Sequence, residues 1–144
     1  MTEIAFHFNA QDKWGYACRL LRKAVVKGSR VAVTAEPDVL AEFDRGLWAF
    51  SPVDFVPHCA VTGDAGMVSA SPVVLCEAPE LAPHQEVLLN LGAVVPAGFE
   101  RFDRLIEVVG ADEADRLLSR KRWKYYLDRG YTLKRHDLAL KEAH

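Results

Sequence analysis

The chain has no run of about 18 apolar residues, the minimum for crossing a bilayer as a helix. Its first residues go straight to Ile4, Phe6 and Phe8, without the basic segment and apolar run of a secretory leader. Cysteine is scarce: Cys18, Cys59 and Cys76 are three in number, widely separated and without a CxxC pair, a usage that fits a reducing compartment. The expectation is a soluble cytoplasmic protein with no membrane partner. No strong charge of either sign is present. The net charge of -2 excludes a protein that coats nucleic acid by overall charge, so any attraction for anions must be local. Neither GxxxxGK[ST] nor GxGxxG occurs, and no repeat or low-complexity tract is found.

What is present is a core. Of 144 residues, 50% are hydrophobic, enough for one globular domain spanning residues 1–144. Glu3 to Phe8 alternates as a strand does. From Asp12 to Lys27, Tyr16, Leu20, Leu21, Ala24 and Val25 recur at helical spacing, with Asp12 placed to cap the start and Gly28 to end the helix in a left-handed turn. Arg30 to Ala35 is a β-branched strand, and this strand, helix, strand order predicts a right-handed crossover and parallel pairing. Pro37 opens a second helix through Val39, Leu40, Phe43 and Leu47 to Trp48. Residues 59–71 read as a surface loop. Strands are expected at Pro72–Glu77, Glu86–Leu91 and Arg104–Val109, the last of the sheet, followed by a terminal helix and a tail from Leu133 to His144 that either docks loosely or frays. The fold class is therefore α/β, a mostly parallel sheet of about five strands flanked by helices, Rossmann-like but lacking a phosphate loop.

The terminal helix, within Asp112 to Tyr131, offers two faces. At about 100° per residue, Ala111, Ala114, Leu118 and Tyr125 gather on one side as a core-facing stripe. On the other, Arg116, Arg120, Trp123 and Leu127 fall in line, and a row mixing guanidinium forks with an indole suits a ligand both anionic and apolar. Seven basic residues lie between Arg116 and Lys134. A solvated basic face is the plain alternative.

A second unusual segment is LWAFSPVDFVPH, residues 47–58. It carries Trp48, Phe50, Phe55 and Val56 around Pro52 and Pro57, which stop either regular element from continuing. Such apolar groups are either tucked under a loop or offered to a partner. Catalytic constellations are not found. The adjacent His58 and Cys59 lack further ligands at zinc-like spacing, and no cofactor or metal is expected. Asp112, Glu113 and Asp115 are placed to favour the positive end of the terminal helix rather than to act as catalytic acids.

The two motifs together, LWAFSPVDFVPH and EVVGADEADRLLSRKRWKYYLDRGY, resemble the chi subunit family of bacterial DNA polymerase III, accessory proteins of the clamp-loader assembly. The resemblance implies a non-catalytic α/β adaptor that grips the acidic, phenylalanine-terminated tail of single-stranded DNA-binding protein. Carried over residue by residue, the family's tail site falls on Val109, Arg116, Arg120, Trp123 and Lys124, with Leu127 beside them; a tryptophan and an arginine here stand for the family's tyrosine and one lysine. Its second surface, for the psi subunit or a helicase relative, falls on Trp48, Phe50, Phe55, Val56 and Pro57. DNA would be reached mainly through these partners, at the replisome. Two alternatives remain at this point: a module that binds single-stranded nucleic acid directly through the same basic and aromatic row, and a nucleotide-dependent enzyme.

Overall fold

A computed structural model describes residues 1–49, 58–60 and 71–139, with side chains for all of these except 48, 49 and 58–60. Phe50, Phe55, Val56 and Pro57 lie outside the described residues, and Trp48 is described only as helix backbone. Among the described residues seven strands form one sheet: β1 (Glu3–Ala10), β2 (Val31–Thr34), β3 (His58–Ala60), β4 (Val73–Leu75), β5 (Val87–Asn90), β6 (Arg104–Gly110) and β7 (Leu133–Asp137). The order is β3-β4-β2-β5-β6-β1-β7 and every pairing is parallel.

The two strands beyond the expected five are both edges. His58–Ala60 pairs with β4 where a loop was expected, and Leu133–Asp137 pairs with β1 from Ile4↔Leu133 to Phe8↔Asp137 where a tail was expected. Thus β6 is not the last strand. The polar LKRHD run carries no apolar alternation because an edge strand needs little burial to be held by its backbone ladder.

Among the described residues three long helices cover the sheet: α1 (Lys13–Val26), α2 (Pro37–Ala49) and α3 (Glu113–Asp128). The side chain of Asp12 accepts a hydrogen bond from Gly15 N at 3.1 Å and caps α1. Gly28, at φ 82°, ends it, with Gly28 N bonding Val25 O and Ser29 N bonding Ala24 O in a Schellman turn. Helices α1 and α2 carry the chain from β1 to β2 and from β2 to β3, one direction along the sheet; α3 carries it from β6 to β7, the other direction. Right-handed crossovers in opposite directions lie on opposite faces. One core layer accordingly packs Ala17, Cys18, Leu21, Leu40, Phe43 and Leu47 on Val31, Val33, Leu75, Leu89 and Val108. The other packs Tyr126 with Phe99 and Phe102 on Ile4, Phe6, Leu88, Leu105 and Val109. Alternate residues of β6 serve the two layers, Leu105 and Val109 one and Ile106 and Val108 the other, as a strand's period of two requires.

Candidate groove on the outer face of the last helix

Helix α3 starts from a well-made cap. Asp112 accepts from Asp115 N at 3.1 Å, and Asp115 Oδ2 accepts from Gly110 N at 2.7 Å and from Lys13 Nζ at 3.0 Å. The acidic residues at this end therefore hold backbone N–H groups and a lysine, the helix-start role the sequence predicts for them.

Its inward face differs from expectation. Ala114 is exposed, Leu118 is 36% exposed and Tyr125 is half-buried, so the stripe Ala111, Ala114, Leu118 and Tyr125 does not anchor the helix. The fully buried residues are Arg122 and Tyr126. They meet Glu107, itself 0% exposed in the middle of β6. Arg122 Nε donates to Glu107 Oε1 at 3.0 Å, the Tyr126 hydroxyl to Oε2 at 2.6 Å, and Asn90 Nδ2 to both oxygens at 3.0 and 3.1 Å. Arg122 Nη1 also reaches Ala93 O at 3.0 Å. A buried carboxylate is tolerable only when so surrounded. Burial pushes the Glu107 carboxyl upward in pKa, while Arg122 and then the Tyr126 and Asn90 donors pull it back. The Tyr126 hydroxyl is pushed up by burial and by the Glu107 charge, and so stays a donor.

With Arg122 and Tyr126 locked inward, Trp123 between them is held against β1. Its ring meets Phe6 edge-on at 5.1 Å between centroids, and Phe6 in turn meets Tyr126 at 6.0 Å. Outside this layer lies a groove of about 320 Å³, lined by Phe6, Phe8, Val109, Arg116, Ser119, Arg120, Trp123 and Arg135. Four site residues named from sequence, Val109, Arg116, Arg120 and Trp123, thus converge on one concavity. Lys124 and Leu127 are exposed and stand outside its lining. Phe6, Phe8, Ser119 and Arg135 were not foreseen. The Arg135 guanidinium, presented by β7, lies 5.1 Å from the Phe8 ring centre and 5.9 Å from that of Trp123. The alternation Ile4, Phe6, Phe8 already places both phenylalanines on one face of β1, but Arg135 is visible only once its segment is known to be a strand. The floor is apolar, three guanidiniums stand around it, and among the described residues no carboxylate lines it.

The crevice where open α/β sheets hold nucleotides lies elsewhere, between the ends of β1 and β6, from which the chain departs in opposite directions. It is lined by Asp12, Lys13, Gly110, Asp112 and Asp115 among others. There the backbone N–H groups that would bind phosphate are already taken by carboxylates of the chain itself, which disfavours the nucleotide-enzyme alternative. The thiols of Cys18 and Cys76 are buried, and burial pushes them up to about 11 and about 12, which leaves them poor nucleophiles. No helix among the described residues is long and apolar enough to cross a membrane.

The family model described as "DNA polymerase III chi subunit, HolC" matches residues 1–134. The chain is 32% identical over 143 residues to DNA polymerase III subunit chi of Pseudomonas aeruginosa, covering 96% of this chain and 98% of that one. It is 27% identical over 118 residues to DNA polymerase III subunit chi of Haemophilus influenzae, covering 81% of each. The chain belongs to the DNA polymerase III chi subunit family, and so to the accessory subunits of a replicative polymerase.

Proposed function

We propose that this chi-family chain is a non-catalytic replication adaptor, and that its α3–β7 groove binds the acidic, phenylalanine-terminated tail of single-stranded DNA-binding protein. The observation that carries this reading is the meeting of Arg116, Arg120 and Arg135 over a floor of Phe6, Phe8, Val109 and Trp123 in a single groove. A terminal carboxylate suits a bidentate arginine fork, a terminal phenyl ring suits the apolar floor, and the preceding aspartates suit the remaining cations, with Lys124 just outside. The size fits as well, since a cavity of about 150 Å³ is enough for a benzene ring and this groove has about 320 Å³. Much of the attraction is exposed charge, so binding should be modest and weaken with salt.

Direct capture of single-stranded DNA is the second reading. Stacking of bases needs open aromatic faces, whereas Trp123 is half-buried, meets Phe6 edge-on and has the Arg135 guanidinium over its ring at 5.9 Å. The net charge of -2 also disfavours it. Titration with a labelled acidic peptide ending in phenylalanine, and separately with labelled single-stranded DNA, tells the two apart. The adaptor reading expects saturable binding of the peptide and little of the DNA; tight DNA binding without peptide binding would sink it.

The link to the clamp-loader assembly is assigned to Trp48, Phe50, Phe55, Val56 and Pro57, for the psi subunit or another clamp-loader or helicase partner. A pull-down with Trp48→Ala should lose that partner and keep single-stranded DNA-binding protein. Losing both together would show that the two surfaces are not separate.

A further inference from the structure

Trp14 stands in the first turn of α1 with 43% of its surface exposed, an unusual position for an indole that has no role in the core. It leans on Phe43 of α2 at 6.1 Å, and Lys13 Nζ sits 5.5 Å from its ring centre. Two concavities share it. One, of about 250 Å³, runs between α1 and α2 and is lined by Trp14, Cys18, Glu42, Phe43 and Gly46. The other, of about 500 Å³, runs between the starts of α1 and α3, where Ala111, Ala114 and the 36%-exposed Leu118 add apolar surface. At Gly46 even an added Cβ would meet nothing within 4 Å, so this wall is low and open.

The charge around this path is opposite to that of the α3–β7 groove. Among the described residues Glu42, Asp12, Asp112 and Asp115 line it with Lys13, which is already paired with Asp115 at 3.0 Å, while the Arg19 guanidinium lies near Asp12 behind Gly15. An acidic tail is repelled here, and a basic segment is attracted.

We infer that this path across the ends of α1, α2 and α3 is a second docking groove, which takes an amphipathic helix of another protein whose apolar stripe is flanked by lysine or arginine. Trp14 is its central anchor, as an aromatic shared by two adjoining hollows is placed to be. A helix laid along the path buries its stripe on Trp14, Ala114 and Leu118 while its cations face the carboxylates, the helix-in-groove mode of recognition. The inference does not depend on what the α3–β7 groove binds, and it involves none of the residues from Phe50 to Pro57.

The test is fluorescence anisotropy with a labelled amphipathic helical peptide built of leucine and lysine, against its leucine and glutamate counterpart. The lysine peptide should bind the wild type and Arg120→Ala alike, and about ten-fold more weakly to Trp14→Ala, which is about 1.4 kcal/mol. Circular dichroism checks that Trp14→Ala is folded. Should it not be, exposed Glu42→Lys serves instead and should also weaken binding. Unchanged affinity in the folded variant, or equal binding of the glutamate peptide, would overturn the inference. So would a dimer in sedimentation that Trp14→Ala dissolves, because the occupant would then be a second copy of this chain.

Discussion

Arg120 and Arg122 stand two residues apart on α3 and do opposite things. Arg122 is 2% exposed, points into the fold and spends its guanidinium on Glu107 and Ala93 O. Arg120 is exposed at the groove, and among the described residues no carboxylate lines the groove beside it. Two positions along a helix are about 200° around it, so the two rows of one element face different media. The inner row turns charge into position: a cation that cannot leave Glu107 fixes the rotation of the helix. The outer row keeps its charge available, because the orientation of Trp123, Arg120 and Arg116 is set from behind. A buried ion pair is weak support for stability by itself, yet it is costly to break from one side. On this account it acts as the positioning device for the exposed row.

That contrast can be broken from the inside first. Arg122→Ala leaves Glu107 buried without its cation, and should cost about 3–5 kcal/mol in urea unfolding, a large part of the roughly 5–15 kcal/mol by which a domain is stable. A loss below about 1 kcal/mol would show that the inner pair holds nothing in place. Tyr126→Phe removes only the hydroxyl that donates to Glu107 Oε2 at 2.6 Å. Its expected cost is about 1.5–3 kcal/mol, the range for a hydrogen bond to a charged group, read from the same unfolding curves. Both variants should also weaken the acidic peptide, since each loosens the helix that displays the groove. Leu127→Ala probes the boundary. Leu127 is 54% exposed and outside the lining, so stability and peptide affinity should each change by less than about 0.5 kcal/mol. A larger loss of peptide binding would extend the groove along the helix.

The same contrast explains what could be read from the sequence. The elements from β1 through α2, with the later strands β4, β5 and β6, follow from alternation, β-branched runs, caps and a terminating glycine, because in them burial and apolarity coincide. Of the outer row, Arg116, Arg120 and Trp123 were legible at helical spacing and do line the groove with Val109. The inner row was not, because a search for apolar periodicity passes over a buried face made of Arg122 and Tyr126. A signal existed in RLIEVV, where Glu107 interrupts an otherwise apolar central strand and calls for a buried partner. Strand β7 escaped for a related reason. Its Lys134, Arg135 and His136 read as a solvated tail, while the ladder to β1 that orders them leaves no mark in composition. Arg135 therefore entered the groove only with the structure.

The most direct test of the central claim is the affinity of an acidic, phenylalanine-terminated peptide for wild type and for Arg120→Ala, measured by calorimetry beside thermal melts of both. The account predicts that Arg120→Ala weakens binding by about 1–3 kcal/mol, the value of a charged hydrogen-bond partner, with the melting temperature unchanged. Undiminished binding would contradict the claim that the outer row holds the tail, and a substantially lowered melting temperature would show that Arg120, like Arg122, belongs to the fold.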